Sequence, residues 1–134
     1  MVQRGSDPLG LDGSGWVELV RRGEIRLVNL DPALSGEANK RRPAVIVSND
    51  GANVAAERRG QGVVTVVPVT SNVAHVYPFQ VLLPARITGL EHDSKAQAEQ
   101  VRSVSVARLG AAIGEVRHDL MEEIDEALRL HLAL

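Results

Sequence analysis

The sequence predicts a mainly β fold of five or six short strands, compact and barrel-like, with one α-helix packed on it at the C-terminus. Three observations carry this expectation. Short β-branched or alternating runs recur between clusters of Gly, Pro, Asn and Ser, with Val63-Val64-Thr65-Val66-Val67-Pro68-Val69 the clearest of them. Helical spacing of apolar residues is sustained in one place only, Leu120, Met121, Ile124, Leu128 and Leu132. At 134 residues the chain makes one domain, and a chain of that size buries roughly two-thirds of its unfolded surface, enough for a core without staples.

Residues 1–16 mix Gly, Ser, Asp and Pro with no apolar period, so they read as a flexible tail, and residues 17–134 as the single domain. The segment from Gly23 to Leu30 alternates as a half-buried strand and ends at Asp31-Pro32. A polar loop, 33–42, follows. Pro43 presets φ and lacks an N–H, so it suits the first residue of a second strand through Ala44, Val45, Ile46 and Val47 to Ser48. Four apolar residues in a row imply burial on both faces. Ser48-Asn49-Asp50-Gly51 is turn chemistry, and 52–58 has room for one or two helical turns before Gly60 and Gly62. After the strand 63–69, which ends at Thr70-Ser71-Asn72, further strands are expected over 79–83, 96–103 and 112–116, with Leu109-Gly110 closing a turn. Asp119 with Glu122 reads as a capping box opening the helix 119–132.

Composition excludes several classes of function. There are no cysteines, so disulfides, thiolate catalysis and Cys-based zinc sites are out. The four histidines, His75, His92, His118 and His131, show no metal-ligand spacing, so no metal and no other cofactor is expected. No apolar stretch is long enough for a membrane span and the N-terminus has no apolar signal core, which makes a cytoplasmic protein the default. Net charge is −2, but residues 17–59 carry eight Lys/Arg against six Asp/Glu while 91–134 carry five against nine. That local basic excess favours a small phosphate site over a broad electrostatic footprint. With Trp16, Tyr77 and Phe79 the only Trp, Tyr or Phe residues, base-stacking platforms of the RRM or OB type are expected to be hard to build.

The chemistry-bearing candidates sit at strand ends. Lys40, Arg41 and Arg42 directly precede Pro43, so the cations are mounted at a rim, where a fixed guanidinium can hold a phosphate. Their bland reading is a solvated edge that discourages aggregation. Thr70 and Ser71 end the strongest strand, and if that strand runs antiparallel to the one at Pro43, Arg42 and Thr70 share one end of the sheet. The pair has too few parts for a serine hydrolase, since no nucleophile elbow is present. Glu37 is a loop carboxylate able to accept a proton or orient an arginine. Gln97 and Gln100 are outward residues whose amides can read base edges without stacking.

Arg21-Arg22-Gly23-Glu24-Ile25, Leu30-Asp31-Pro32, Glu37, Arg42-Pro43 through Asp50, Val67-Pro68-Val69-Thr70-Ser71, Tyr77-Pro78-Phe79 and Glu99-Gln100-Val101-Arg102-Ser103 follow one another in an order and spacing that resembles the MazF/PemK toxins, with the actinobacterial MazF branch nearest. The resemblance runs from about residue 21 to the end. It implies an SH3-like barrel of the CcdB/Kid/MazF type, a homodimer, and a toxin of a type II toxin-antitoxin system. Such a toxin is a metal-independent mRNA interferase that cuts single-stranded RNA at short sequences, held inactive by a MazE-like antitoxin. It makes Arg42 and Thr70 the catalytic pair and Glu37 the loop glutamate and candidate base, with His75 as the alternative. Lys40, Arg41, Ser71, Asn72, Gln97 and Gln100 fall in place to contact RNA. Two departures stand out: Ser35-Gly36-Glu37 replaces the family's Gly-Ser-Glu order, and Arg26 stands where many members have an aromatic. Because CcdB uses the same barrel, a non-enzymatic inhibitor of a protein target such as gyrase is the alternative function.

Overall fold

A computed structural model describes residues 19–30 and 41–134. Expectations for the tail, and for Ser35, Glu37 and Lys40, lie outside the described residues. Seven antiparallel strands form one sheet: β1 Glu24–Asn29, β2 Arg41–Ile46, β3 Val63–Thr70, β4 Gln80–Leu83, β5 Ser94–Gln97, β6 Arg102–Ser105 and β7 Leu109–Glu115. The order across it is β4-β5-β3-β2-β1-β7, with β6 also paired to β3. Helices α1 Asp50–Arg59 and α2 Ala85–Thr88 fill connections, and α3 His118–Leu132 closes the chain. This is the SH3-like architecture with a C-terminal helix that the resemblance implies.

Three boundaries differ from the sequence reading, each for a physical reason. β2 begins at Arg41, with Arg41 opposite Asn29 and Arg42 opposite Val28, so Pro43 is the third strand residue rather than the first. Pairing with β3 starts only at Ala44, which leaves an open edge at Pro43 where a missing N–H is tolerated. The expected strand 96–103 is two strands split by a 3₁₀ turn, Ala98–Gln100. β6 pairs with β3 at 63–66 and β5 pairs with it at Val69 and Thr70, which leaves Val67 and Pro68 between the two partners. Pro68 has no N–H to offer that edge, so a strand running unbroken past it would lose a ladder bond. Leu109 and Gly110 open β7 instead of closing a turn, the turn being a 3₁₀ segment at 106–108.

The helices are also longer or more numerous than periodicity suggested. α1 spans ten residues because Asn49 caps it, its Oδ1 accepting the Ala52 N–H at 2.8 Å, and Gly60 ends it in the left-handed region. α2 was not read from the sequence; it is a single turn between Pro84 and Gly89. The N-cap of α3 is Arg117, with no side-chain cap bond, so the expected capping box is not made. Asp119 still places a carboxylate in the first turn, where the helix dipole favours it. Met121, Ile124 and Ala127 bury against β4 and the 3₁₀ turn, while Leu132 lies beyond that surface and is exposed. No described helix is long and apolar enough to cross a membrane.

Strand alternation sorts the core into two clusters on opposite sides of the sheet. Ile25, Val45, Val67, Leu83, Ala96 and Ile124 belong to one. Val28, Ala44, Ile46, Val64, Val66 and Val104 belong to the other. β2 is thus buried on both faces over Ala44–Ile46, as its apolar run implied. Gly23 closes the start of the sheet, donating its N–H to Ile46 O at 2.8 Å and accepting from Val116 N at 2.7 Å. Its φ of 97°, with Val116 O only 3.0 Å from where a Cβ would stand, requires glycine.

The exit of β2 is tied down by a buried amide. Asn53 donates through Nδ2 to Ser48 O at 3.0 Å and accepts the Ser48 hydroxyl proton, while Ser48 Oγ accepts the Thr65 N–H at 3.0 Å. Replacing Asn53 with Ala strands the Ser48 groups, and the expected cost in urea denaturation is about 1–3 kcal/mol. Glu57 on α1 accepts the Val20 N–H at 3.1 Å. Burial nevertheless pushes its carboxyl above the ordinary range, outweighing that bond and the Arg26 charge. Its contribution to stability is whole below the ordinary value of 4.5 and is lost as pH rises through the elevated one. Glu57→Gln, which keeps the acceptor, is expected to flatten the fall of Tm over that window in thermal melts across pH.

Candidate active site

β2 and β3 pair with Ala44 opposite Pro68 and Val45 opposite Val67. The same count carried two residues outward sets Arg42 across from Thr70, and facing residues of a pair project to the same side. Across β3's other edge Thr70 is paired directly with Lys95. One face at the end of the sheet therefore presents Arg42, Thr70 and Lys95 in a row over three strands. Arg42 is exposed and has no hydrogen-bond or ion-pair partner among the described residues. Thr70 Oγ1 accepts the Asn72 N–H at 3.2 Å, which leaves its own proton to be donated outward.

Arg42 and Thr70 border an open cleft of about 840 Å³ that also touches Arg41, Ser71, Glu91 and His92. The strand end and turn that supply Thr70 and Ser71 thus meet the α2–β5 connection. His92 borders the same cleft from 22 residues beyond Thr70 in sequence, which periodicity has no means of signalling. Arg41 lies over Gly110, where an added Cβ would come within 2.8 Å of its Nη1.

The other predicted contacts fall in two places. Asn72 is exposed, and its Oδ1 accepts the Ala74 N–H at 3.2 Å, shaping the loop after β3. Gln97 is half-buried on β5, two residues from Lys95 and so on the same face as Thr70. Gln100 is exposed on the 3₁₀ turn, and neither glutamine borders the cleft.

Several functional-looking groups escaped the sequence reading. Tyr77 stacks on Phe79 with ring centroids 5.6 Å apart and on His75 at 6.1 Å. Lys95, only 7% exposed, donates to His75 O and stands 5.7 Å from the centre of the Tyr77 ring. Gln80 accepts the Tyr77 N–H at 3.1 Å and donates to Glu99 Oε2 at 2.8 Å. Three rings thus fall within five residues of one loop and stack on one another, an arrangement that a count of aromatics does not reveal. Two arginines fix the end of β1: Arg102 Nη1 donates to Leu30 O at 2.8 Å and Arg108 Nη1 to Asn29 O at 3.2 Å. Arg26, the departure from the family's aromatic, is 6% exposed and pairs with Glu24 at 3.0 Å while donating to the Leu19 and Gly110 carbonyls. It is a structural cation, its charge answered on every side.

With this geometry, the match of residues 21–132 to the model of the PemK-like, MazF-like toxins of type II toxin-antitoxin systems is decisive. The chain belongs to that family. It is 61% identical over 116 residues to endoribonuclease MazF9 of Mycobacterium tuberculosis, covering 87% of this chain and 98% of that protein. It is 30% identical to endoribonuclease EndoA of Bacillus subtilis, over 87% of this chain and 97% of EndoA. Among solved structures, MazF of Deinococcus radiodurans superposes with a TM-score of 0.69 at 27% identity, covering 88% of this chain and all of that one. The MazF of a MazE–MazF complex from the same organism gives 0.68 at 26%, over 88% and 99%. Endoribonuclease is the enzyme class of these MazF relatives, which leaves the gyrase-inhibitor alternative without support.

In this MazF-like chain, Arg102 anchors the point where β1 enters segment 31–40. Arg102→Met is expected to raise amide exchange at residues 28–30, read by hydrogen-exchange mass spectrometry, with little change at β3.

Proposed function

We propose that this chain is a toxin endoribonuclease that cuts single-stranded RNA, mRNA foremost, without a metal ion, and that the register placing Arg42 opposite Thr70 carries the reading. RNA brings its own nucleophile, the 2′-hydroxyl. The protein need only take that proton, stabilise the charge that gathers on the phosphoryl oxygens, and let the 5′-oxygen leave protonated. The products are a 2′,3′-cyclic phosphate and a 5′-hydroxyl.

Arg42 supplies the fixed charge. It is mounted on a strand next to Pro43, and no carboxylate among the described residues competes for it. Donors aimed at a developing oxyanion are worth about 3–4 kcal/mol each. Thr70 donates its hydroxyl proton to the same phosphate, its oxygen already being held by the Asn72 N–H. An arginine is too weak an acid to serve as a proton shuttle, so Arg42 acts electrostatically and the base is Glu37. Lys40 and Arg41 attract the RNA backbone, while Ser71, Asn72, Gln97 and Gln100 contact the nucleotides on either side.

The cleft at this sheet end is open, which favours a groove completed by a second copy of the chain. A MazE-like antitoxin with an acidic segment fits the same cation row and would exclude RNA from it. The compartment is the cytoplasm, where mRNA is found.

Incubation with a defined RNA in EDTA, followed by end-group analysis, tests the reading. The expected outcome is cleavage with 5′-hydroxyl ends. Arg42→Ala should lower kcat by about 10²–10³ with an unchanged circular-dichroism spectrum. A folded Arg42→Ala protein that cuts at the wild-type rate would sink the assignment.

A further inference from the structure

We propose that the His75–Tyr77–Phe79 ring ladder is a stacking platform for one unpaired nucleobase of the RNA, the base lying beside the phosphate held by Arg42 and Thr70. The inference rests on the nuclease reading and names a subsite within it.

Placement is the first argument. Thr70 is the ladder partner of Lys95, and Lys95 holds the loop carrying the rings through its bond to His75 O and its position over Tyr77. The rings are therefore mounted one strand away from Thr70, on the face that Arg42 shares. The rings lie outside the residues that border the cleft, so a base on the strand bound at Arg42 and Thr70 would reach them across one strand spacing, about 5 Å.

Exposure is the second. Tyr77 keeps 51% of its surface exposed, although Phe79 is stacked nearly parallel to it, at 5° between planes. His75 lies on Tyr77 at 27° and is exposed, with no ring stacked on its other face among the described residues. Tyr77 is the middle of the ladder and His75 its open end. An apolar ring left this bare in water gains by receiving a flat partner, and every nucleobase offers one.

Rigidity is the third. Gln80 accepts the Tyr77 N–H and donates its own backbone N–H to Tyr77 O at 2.8 Å, so both backbone groups of Tyr77 are held by one residue. A platform fixed before binding loses little entropy when a base arrives. The adjacent exposed cation, Arg42, suits an anionic strand rather than an apolar peptide.

The test is binding of an RNA made uncleavable by a 2′-deoxy sugar at the cut site, with each flanking base replaced in turn by an abasic unit. For the wild type, one abasic position is expected to weaken binding by about 5- to 150-fold, the range seen for loss of a base–aromatic stack. His75→Ala should weaken the intact RNA by a similar factor and lose nothing further at that position, and His75→Phe, which keeps a ring, should restore both binding and cleavage. Unchanged binding by His75→Ala, or losses that multiply with the abasic substitution, would overturn the platform. Binding left as weak in His75→Phe as in His75→Ala would also overturn it, since a retained ring should restore the stack. Normal RNA binding by His75→Ala with lost binding of an acidic antitoxin-like peptide would reassign the surface to the peptide. The nuclease reading is tested apart, by the EDTA cleavage of ordinary RNA and its loss in Arg42→Ala. A wild type that cuts RNA while its ladder variants bind normally overturns this inference alone.

Discussion

Everything at the functional end of this molecule depends on the register between β2 and β3. Ala44 stands opposite Pro68, and each strand is buried on both faces over the paired stretch. A slip of one residue would push the buried set Ala44, Ile46, Val64 and Val66 toward the other cluster, a cost shared by every apolar side chain in it. The hydrophobic pattern therefore fixes, from several residues away, which polar residues meet beyond its end. Arg42 and Thr70 are brought together by the packing of valines and isoleucines, with no contact of their own required.

β3 has a second role as the strand shared by two partners. Its outer edge is taken by β6 at one end and β5 at the other, with Pro68 in the interval. The 3₁₀ turn at 98–100 carries the chain across that interval and presents Glu99 to Gln80, which in turn sets the Tyr77 backbone. A proline inside a strand thus shapes the connection that supports the ring loop. Meanwhile the β5 end of the arrangement brings Lys95 beside Thr70, where its ammonium holds the ring loop through His75 O. The acid-rich C-terminal helix packs against β4 and the 3₁₀ turn.

Much of this was legible in the chain. The strand 63–70, the buried run 44–46 and the C-terminal helix follow from β-branching and periodicity, which are local properties. The family motifs made Arg42, Thr70 and Glu37 nameable, and the β2–β3 register, carried two residues past Ala44 and Pro68, sets the first two across from each other. What escaped has a common cause. His92, the lysine at 95, the ladder of His75, Tyr77 and Phe79, and the pinning arginines Arg102 and Arg108 act through partners distant in sequence or through loop geometry. Arg102 reads as an outward strand residue until Leu30 O is placed beside it, 72 residues away. Counting aromatics did not reveal the ring ladder, because the number of rings says nothing about their spacing in space.

The sequence by itself determined the long strands and the C-terminal helix, the family and the identity of the charged residues at the mouth of β2, since alternation, turn residues and motif order are written along the chain. Only the tertiary structure decided which side chains share a face. The β5–β6 break, the pairing of Thr70 with Lys95, and the arrival of His92 at the cleft all depend on which strand edges were left open once the core had packed. That outcome is set by the summed burial of apolar residues over the whole sheet, and no local stretch of sequence contains it.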